Sequence, residues 1–461
     1  MNAKRRDHGA TVLVAMIATA FAVALILLTG VINEAVDPAL KSGGTFQLML
    51  LIVSGIFITI ALYVGSIVTA NTFATVIAGR TREIALLRLL GATSAKVRSR
   101  VATEGLVAGA LGAVLGWLLA LAAVGAVVTW GPGLGWIPAG RDYRLIEPLS
   151  FVAIGIVILT TWLAAWSGSR RVAGVSPIAA TGASVELRAD AARGRTARTV
   201  WAILLMVTGT ALVTIGILIG LMSPLSILVS FLGGLVSFTG IAIGSHIVMP
   251  PMLRLAGLVL GRGAAAGVAV ANSRRYPERS ARSTIGLVIG VTLVTMFSVA
   301  LASYEHMTLT MFESDPAAAA EFSSVLAVTT VIVSVLVGFS AVIAAVGMIN
   351  SLSLSVLQRT RELGLLRALG FTGGQVRAMV VAESVQMTLA ATGFGLVLGT
   401  FYGWLAAHSL LASQVGIMAP VLPWPVLLGI AVFGIALAAG AAVSPARRAV
   451  RVSPVEALAV S

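Results

Sequence analysis

The chain contains ten apolar runs that are each long enough to cross a membrane as a helix, and this limits its possible folds more than any other feature. A helix needs about 20 apolar residues to cross the ~30 Å hydrocarbon core of a bilayer. Every run reaches that length, with Asp, Glu, Lys and Arg confined to its ends. We therefore predict an all-α, polytopic membrane protein. The runs occupy residues 10–32, 46–74, 104–129, 149–168, 199–221, 225–249, 283–304, 322–349, 383–408 and 424–443.

The composition excludes several other classes of protein. Hydrophobic residues make up 58% of the 461 residues and charged residues only 10%, whereas an average soluble domain has about 25% charged residues. The sequence contains no cysteine. These values argue against an ordinary soluble enzyme, a disordered chain and a disulfide-stabilised scaffold.

The distribution of charge predicts the orientation of the helices. With the N-terminus in the cytoplasm, the outer loops carry eight acidic and three basic residues, and the inner side carries nine acidic and 28 basic residues. Basic residues concentrate on the cytoplasmic side of membrane proteins. We therefore expect both termini to be cytoplasmic. The overall net charge of +14 then reflects membrane topology and gives no support to a nucleic-acid partner.

One segment occurs twice in the chain. Residues 80–91 read RTREIALLRLLG and residues 359–370 read RTRELGLLRALG, with nine of twelve positions identical at an offset of 279. The Arg-Arg and Val-Ser-Pro residues at 170–177 recur at 447–454. Internal repetition of this kind indicates repeated structural units. We call residues 80–91 and 359–370 the repeated segments.

The repeat predicts a three-part organisation. Residues 1–180 and 270–461 each form a four-helix unit, and residues 181–269 form a basic linker with a connecting helix pair at 199–221 and 225–249. Both repeated segments are expected on the cytoplasmic side, so the units are related by an axis along the membrane normal.

Each repeated segment follows a helix that is too long for the bilayer. Residues 46–80 span ~52 Å at 1.5 Å per residue, so the excess is expected to project into the cytoplasm as a stalk. The repeated segment then continues as a short helix that ends at Gly91 or Gly370 as a C-cap. An amphipathic helix on anionic lipid is one interpretation. Because a lipid surface does not require the same residue order twice, docking of both segments on the same protein surface is favoured.

These features resemble the FtsX-like permeases, the MacB-type (type VII) class of ABC transporter, and in particular ten-helix permeases similar to those for bacitracin efflux. The resemblance rests on RTREIALLRLLGAT with its stalk, the Glu at the start of the next helix, and the closing RR, VSP and Ala. It implies that each repeated segment is a coupling helix that docks on a separate ATPase. The implied coupling residues are Arg80, Thr81, Arg82, Glu83, Leu87, Arg88 and Gly91, with Arg359, Thr360, Arg361, Glu362, Leu366, Arg367 and Gly370.

The chain departs from many of these permeases in one respect. They carry a large outer domain between the first two helices of a unit, whereas here the corresponding loops, 33–45 and 305–321, are too short to fold a core. This departure favours a substrate that is taken up within the membrane. The expected substrate is apolar or amphipathic, such as a lipid, an antimicrobial peptide, a drug or a haem-like molecule, and its binding residues are unknown.

The resemblance also implies partners and a location. The sequence has no G-x-x-x-x-G-K-[ST] motif for ATP phosphates, so no catalytic residue, cofactor or metal is expected in this chain. ATP and Mg are expected to bind to a partner ATPase. We expect one permease chain, two copies of a cytoplasmic ABC ATPase and surrounding membrane lipids, in the bacterial cytoplasmic (inner) membrane.

Two acidic residues and two other functions complete the predictions. Glu104 and Glu383 are candidate gating residues, but we favour a carboxylate that complements the positive end of the helix dipole.

A regulatory membrane subunit that moves no substrate is one alternative function. An ion-coupled secondary transporter is another, but it requires ionisable residues at mid-membrane, and the apolar runs carry Asp, Glu, Lys and Arg only at their ends.

Overall fold

The computed structural model is all-α throughout the part of the chain that it describes. The chain divides into two compact units, residues 1–184 and 185–461. The structure describes residues 2–35, 45–79, 86–87, 89–134, 137–173, 189–259, 267–268, 270–271, 277–312, 338, 342, 367 and 369–436.

The first unit is a bundle of four helices. They are α1 (Asn2–Ala35), α2 (Thr45–Gly79), α3 (Ser94–Trp130) and α4 (Pro148–Ala173). Helix α1 lies against all three of the others. In its most apolar 18-residue stretch, 78% of the residues are buried. Helix α2 has 35 residues, which confirms the predicted long second helix.

The second unit contains the connecting pair as well as the second copy of the repeat. Its helices are α5 (Ala189–Gly220), α6 (Ser226–Ile243), α7 (Ser245–Val259), α8 (Pro277–Met311), α9 (Gly373–Val415) and α10 (Trp424–Ala436). Helices α5 and α6 pair along their length, and α8 pairs with α9. The predicted span 322–349 lies outside the described residues.

The predicted span 225–249 is wrong in one respect, because the structure divides it between α6 and α7 at Gly244. In a continuous α-helix the Ile247 N–H would bond the Ile243 carbonyl, but it donates to the Gly244 carbonyl at 2.8 Å instead. The last carbonyl of α6, that of Ile243, instead accepts hydrogen bonds from Arg198 Nε and Nη2 at 3.1 and 2.8 Å. A cation at this position also complements the negative end of the helix dipole.

Length and hydropathy confirm a polytopic membrane protein. Seven of the described helices are long and apolar enough to cross a membrane, and Ser54–Ala70 and Trp424–Ala436 are shorter apolar segments. The count of ten spans and the cytoplasmic position of both termini stay predictions.

Glycines form the contact between α1 and α3 in the first copy of the repeat and between α8 and α9 in the second copy. A Cβ at Gly116 of α3 would collide with the carbonyl of Met16 and would lie 2.8 Å from Thr19 Cβ in α1. A Cβ at Gly403 of α9 would meet the carbonyl of Met296 and lie 2.9 Å from Val299 Cβ in α8. Small residues allow helix backbones to approach closely in membranes. The glycine spacings of the sequence therefore mark packing, as expected.

We predict that Gly116→Val destabilises the first unit, because the new side chain must force α1 and α3 apart at a cost of about 1–3 kcal/mol. Thermal unfolding of the detergent-solubilised chain should show a midpoint several degrees below that of the wild type. Gly155→Val in α4 is the matched control, since nothing lies within 4 Å of a Cβ at Gly155. Equal midpoints for the two variants would contradict the close contact.

Candidate functional site

The structure describes part of each repeated segment and the turn that follows it. Leu87, Gly91, Arg367 and Gly370 are described, as are both candidate gating acids. Ten predicted coupling residues lie outside the described residues, and their roles stay predictions. These are Arg80, Thr81, Arg82, Glu83, Arg88, Arg359, Thr360, Arg361, Glu362 and Leu366.

Both repeated segments end at a glycine in the left-handed conformation. The φ angles of Gly91 and Gly370 are 91° and 99°, a region that residues with a Cβ rarely adopt. The Ala92 N–H donates to the Leu87 carbonyl at 3.0 Å, and the Gly370 N–H donates to the Arg367 carbonyl at 3.1 Å. The first is the 6→1 bond and the second is the 5→2 bond of the Schellman C-cap, so each copy shows one bond of this motif among its described residues. The predicted C-caps at Gly91 and Gly370 are confirmed.

A threonine two residues after each glycine begins the next helix. Thr93 accepts a hydrogen bond from the Lys96 N–H at 3.3 Å, and Thr372 accepts one from the Gln375 N–H at 3.3 Å. The Gln375 side chain in turn accepts from the Thr372 N–H at 2.9 Å, which completes a capping box. The sequence carries this signal as Thr372 followed three residues later by Gln375, and these two residues are absent from the predicted coupling set.

Apolar packing fixes the turn that leads into α3. Val97, in the first turns of that helix, is buried against Ala92 and Val101. Ala92 precedes the N-cap and Val97 is the fourth helical residue, which is the pairing of a hydrophobic staple. In the second copy, Phe371 and the fully buried Val376 occupy the same positions. The C-cap, the turn and the N-cap therefore join each repeated segment to a long helix in a fixed geometry. We call residues 91–93 and 370–372 the corners.

The end of each repeated segment presents leucine to the surroundings. Leu90 is 85% exposed and Leu369 is 71% exposed, and Leu86 and Leu89 are also exposed. Leu87 is half-buried. Contiguous exposed apolar side chains next to charged residues are typical of protein–protein contact sites.

Helices α3 and α9 begin earlier than the apolar runs suggested, and this overturns the interpretation of the two acids. The helices start at Ser94 and Gly373, so Glu104 and Glu383 are each the eleventh residue of their helix. The dipole effect is confined to the first turn. The interpretation of Glu104 and Glu383 as carboxylates at helix N-termini is therefore wrong, and their role in gating stays a prediction.

The two acids have different environments. The Glu104 carboxylate is partly exposed and lies 3.4 Å from Arg100 Nε, one helical turn before it. Glu383 is only 4% exposed, and its position one turn earlier is occupied by Met379. The same position of the repeat is therefore a surface ion pair in the first unit and a buried acid in the second.

An aromatic contact holds the start of α3 against α4. The guanidinium carbon of Arg98 lies 5.4 Å from the centre of the Trp166 ring, within the range of a cation–π interaction. This contact adds a second support to the corner after Gly91. Among the residues that the structure describes, no group of three or more His, Asp or Glu is placed to hold a metal ion.

The chain matches the family model described as "FtsX-like permease C-terminal" twice, over residues 55–177 and 334–454. The two matches together cover slightly more than half of the chain, and their starts are separated by the offset of 279 that relates the repeated segments. The chain belongs to the FtsX-like permease family.

Similar curated proteins include transporter subunits. The chain is 32% identical over 140 residues to the uncharacterized ABC transporter permease YknZ of Bacillus subtilis, which covers 30% of this chain and 34% of that protein. It is 31% identical over 140 residues to the uncharacterized ABC transporter permease MJ1507 of Methanocaldococcus jannaschii, with the same coverage. It is 33% identical over 120 residues to the macrolide export ATP-binding/permease protein MacB of Chlorobaculum tepidum, covering 24% of this chain and 16% of that protein. The chain thus spans about a third or less of the length of these relatives.

We predict that Gly91→Ala loosens the corner, since a left-handed residue with a Cβ costs roughly 1–2 kcal/mol. Hydrogen–deuterium exchange of the purified chain should be about tenfold faster at the amides of residues 86–97, because 1.4 kcal/mol is a factor of ten in an opening equilibrium. Gly370→Ala should have the same effect at residues 367–376. Gly374→Ala is the control, because a Cβ at that helical position meets only Thr372 Oγ1, at 3.8 Å. Unchanged exchange in Gly91→Ala would show that the corner is not strained by a side chain.

Proposed function

We propose that this chain is the membrane-spanning permease subunit of an ATP-driven ABC transporter. The observation that supports this most directly is the repeated corner. In both halves of the chain, a C-cap glycine and an N-cap threonine join the repeated segment to a long membrane helix. A chain with two such corners presents two equivalent docking segments. One permease chain would therefore bind two copies of a cytoplasmic ABC ATPase.

The corner provides a mechanical connection between an ATPase and the membrane. A flexible loop would absorb a displacement of the repeated segment. The corner would transmit the displacement, because a C-cap glycine fixes its backbone on one side and an N-cap hydrogen bond fixes it on the other. The exposed Leu86, Leu90 and Leu369 supply apolar contacts for the ATPase surface. The Arg and Glu residues of the RTRE sequences supply ion pairs at its rim, which set the orientation of docking.

ATP and Mg would bind to the partner rather than to this chain. The partner supplies the phosphate-binding loop, and closing of two ATP-bound subunits would press on both repeated segments. The chain itself would supply the transmembrane path and no catalytic group. The excess of basic residues in the loops predicted to be cytoplasmic supports a docking side in the cytoplasm of a bacterial cell. The helices would then lie in the cytoplasmic membrane, in contact with its lipids.

The substrate proposed for this transporter is apolar or amphipathic. The short connection between α1 and α2 leaves no outer domain there to receive a soluble substrate. Relatives are named for macrolide export and, in Pseudomonas syringae, for probable syringafactin export. A lipid, an antimicrobial peptide, a drug or a haem-like molecule belongs to the same chemical range, and we propose export of a compound of this kind.

We expect reversal of one charge in each repeated segment to uncouple the complex. Glu83→Lys combined with Glu362→Lys replaces each carboxylate with a cation, which would face the basic ATPase group that pairs with that carboxylate. Like charges across an interface cost several kcal/mol. The measurement is ATP hydrolysis by the chain co-isolated with its ABC ATPase in lipid nanodiscs. Hydrolysis that depends on the permease should fall at least tenfold.

The control for this variant carries the same charge change on the predicted outer side. Asp142 and Glu305 are exposed, so Asp142→Lys combined with Glu305→Lys should leave hydrolysis near the wild-type rate. Hydrolysis of ATP by the permease chain alone would contradict the proposal. Full activity of the Glu83→Lys and Glu362→Lys variant would show that the repeated segments do not dock the ATPase.

A transport assay separates export from a purely regulatory role. Inverted membrane vesicles that contain the complex should take up a fluorescent amphipathic dye when ATP is added, and vesicles with an ATPase variant that cannot hydrolyse ATP should not. A regulatory subunit would hydrolyse ATP with no uptake of any apolar or amphipathic probe. That result would favour the regulatory alternative over transport.

A further inference from the structure

Helices α3 and α9, which follow the two repeated segments, have different buried surfaces. Every buried residue of α3 is Gly, Ala or Val. Helix α9 buries polar side chains from one end to the other. These are Glu383, Ser384, Gln386, Thr388, Thr392, Tyr402, His408 and Ser409.

Several of these polar residues form hydrogen bonds to α6 and α7. We call these two consecutive helices, residues 226–259, the connecting segment. Near the start of α9, Gln386 Nε2 donates to the Leu253 carbonyl of α7 at 2.8 Å. Farther along, the Tyr402 hydroxyl lies 2.6 Å from Ser237 Oγ of α6. These bonds are buried, so lipid and water do not compete with them.

The third level of contact lies near the other end of α9. Ser409 Oγ donates to Ser230 Oγ of α6 at 2.7 Å, and Ser226 Oγ donates to the Ser409 carbonyl at 3.1 Å. From Gln386 to Ser409 the helix rises by about 35 Å. The connecting segment is therefore attached to α9 over a distance comparable to the full hydrocarbon thickness of a bilayer.

Apolar contacts accompany the hydrogen bonds. The rings of Phe238 and Tyr402 lie 6.4 Å apart, and Met249, Leu253 and Ala256 form one buried face of α7. Helix α7 lies against both α8 and α9. A Cβ at Gly257 of α7 would lie 3.2 Å from Gln386 Nε2, so a small residue permits the close approach of the amide.

The matching positions of the first unit lack these contacts. At the offset of 279, Gln386, Tyr402 and Ser409 correspond to Val107, Ala123 and Trp130. Val107 is 53% exposed, Trp130 is 70% exposed, and Ala123 is also exposed. The repeated segments are nearly identical, but the helices that follow them have different attachments.

We propose that Gln386, Tyr402 and Ser409 are positioning residues that fix α6 and α7 to α9, so that the three helices move as one body when the second repeated segment is displaced. This inference rests on the proposed function. Helix association in a bilayer gains little from the hydrophobic effect, because lipid is as apolar as the helix surface. Buried hydrogen bonds at three levels therefore set the register of α6 and α7 on α9. The two units would respond unequally to equivalent ATPase subunits.

Absence of cysteine from the sequence allows a direct test by cross-linking. Ser230→Cys combined with Ser409→Cys places two sulfurs at positions where the hydroxyl oxygens are 2.7 Å apart, which suits a disulfide. If α6 moves with α9, the oxidised complex should keep at least half of its ATP-driven dye uptake. If α6 slides along α9, oxidation should abolish uptake and a reductant should restore it, and that result would overturn the proposal.

A second pair of variants tests whether the bonds matter at all. Gln386→Leu combined with Tyr402→Phe removes two levels of hydrogen bonding, and the maximal rate of ATP-driven uptake should fall about fivefold or more. The apparent KM for ATP should not change, because ATP binds to the partner. Val107→Ala combined with Ala123→Ser in the first unit is the control and should leave the rate unchanged. An unchanged rate in the α9 variant would overturn the proposal.

A rescue experiment separates positioning from a general loss of stability. Adding the two cysteines to the Gln386→Leu and Tyr402→Phe variant should restore uptake on oxidation of the assembled complex and remove it again on reduction. Failure of oxidation to restore uptake would show that the attachment to α6 is not the function of these residues. If the wild-type complex shows no ATP-driven uptake, the transport function is overturned, and this inference with it. If the wild-type complex shows normal uptake but the oxidised double-cysteine complex is inactive, the inference alone is overturned.

Discussion

The structure depends on close contact between helix backbones in an environment that supplies neither water nor a hydrophobic driving force between helices. Glycines of α3 pack against α1, as at Gly116, and glycines of α9 pack against α8, as at Gly403. In the second unit, α8 is as deeply buried as α1 is in the first, with 78% of the apolar window enclosed. The pairs α1–α3 and α8–α9 thus form the two cores, and each repeated segment is attached directly to its core through α3 or α9.

This attachment explains why the corners after Gly91 and Gly370 are built so similarly. A capped helix end, a left-handed glycine and a threonine N-cap satisfy the backbone groups at the end of one helix and the start of the next. The corner is therefore held mainly by its own local bonds. That independence allows an exposed segment outside the bilayer to remain in a fixed orientation relative to the helix that enters it.

Much of the architecture was predictable because apolar length and exact repetition are strong signals. Helix α2, the C-caps and the glycine contacts followed from the sequence. The starts of α3 and α9 did not, because Lys96, Arg98 and Arg100 interrupt the apolar pattern although charged residues with long side chains form helices well. The burial of Glu383 and Gln386 was also unpredictable, since it depends on which helix covers that face. The coupling role of the repeated segments stays a prediction, and their RTRE residues lie outside the described part of the chain.

The glycine contacts also bear on how the chain arose. Gly116 and Gly395 correspond at an offset of 279, but the α1 and α8 residues that they approach, Thr19 and Val291, correspond at an offset of 272. The two copies therefore differ by seven residues between their first and third helices, while the contact itself is the same. Duplication of an ancestral four-helix gene, followed by a length change in the intervening segment, accounts for this difference. The register of the helix pair is therefore compatible with joining segments of different length.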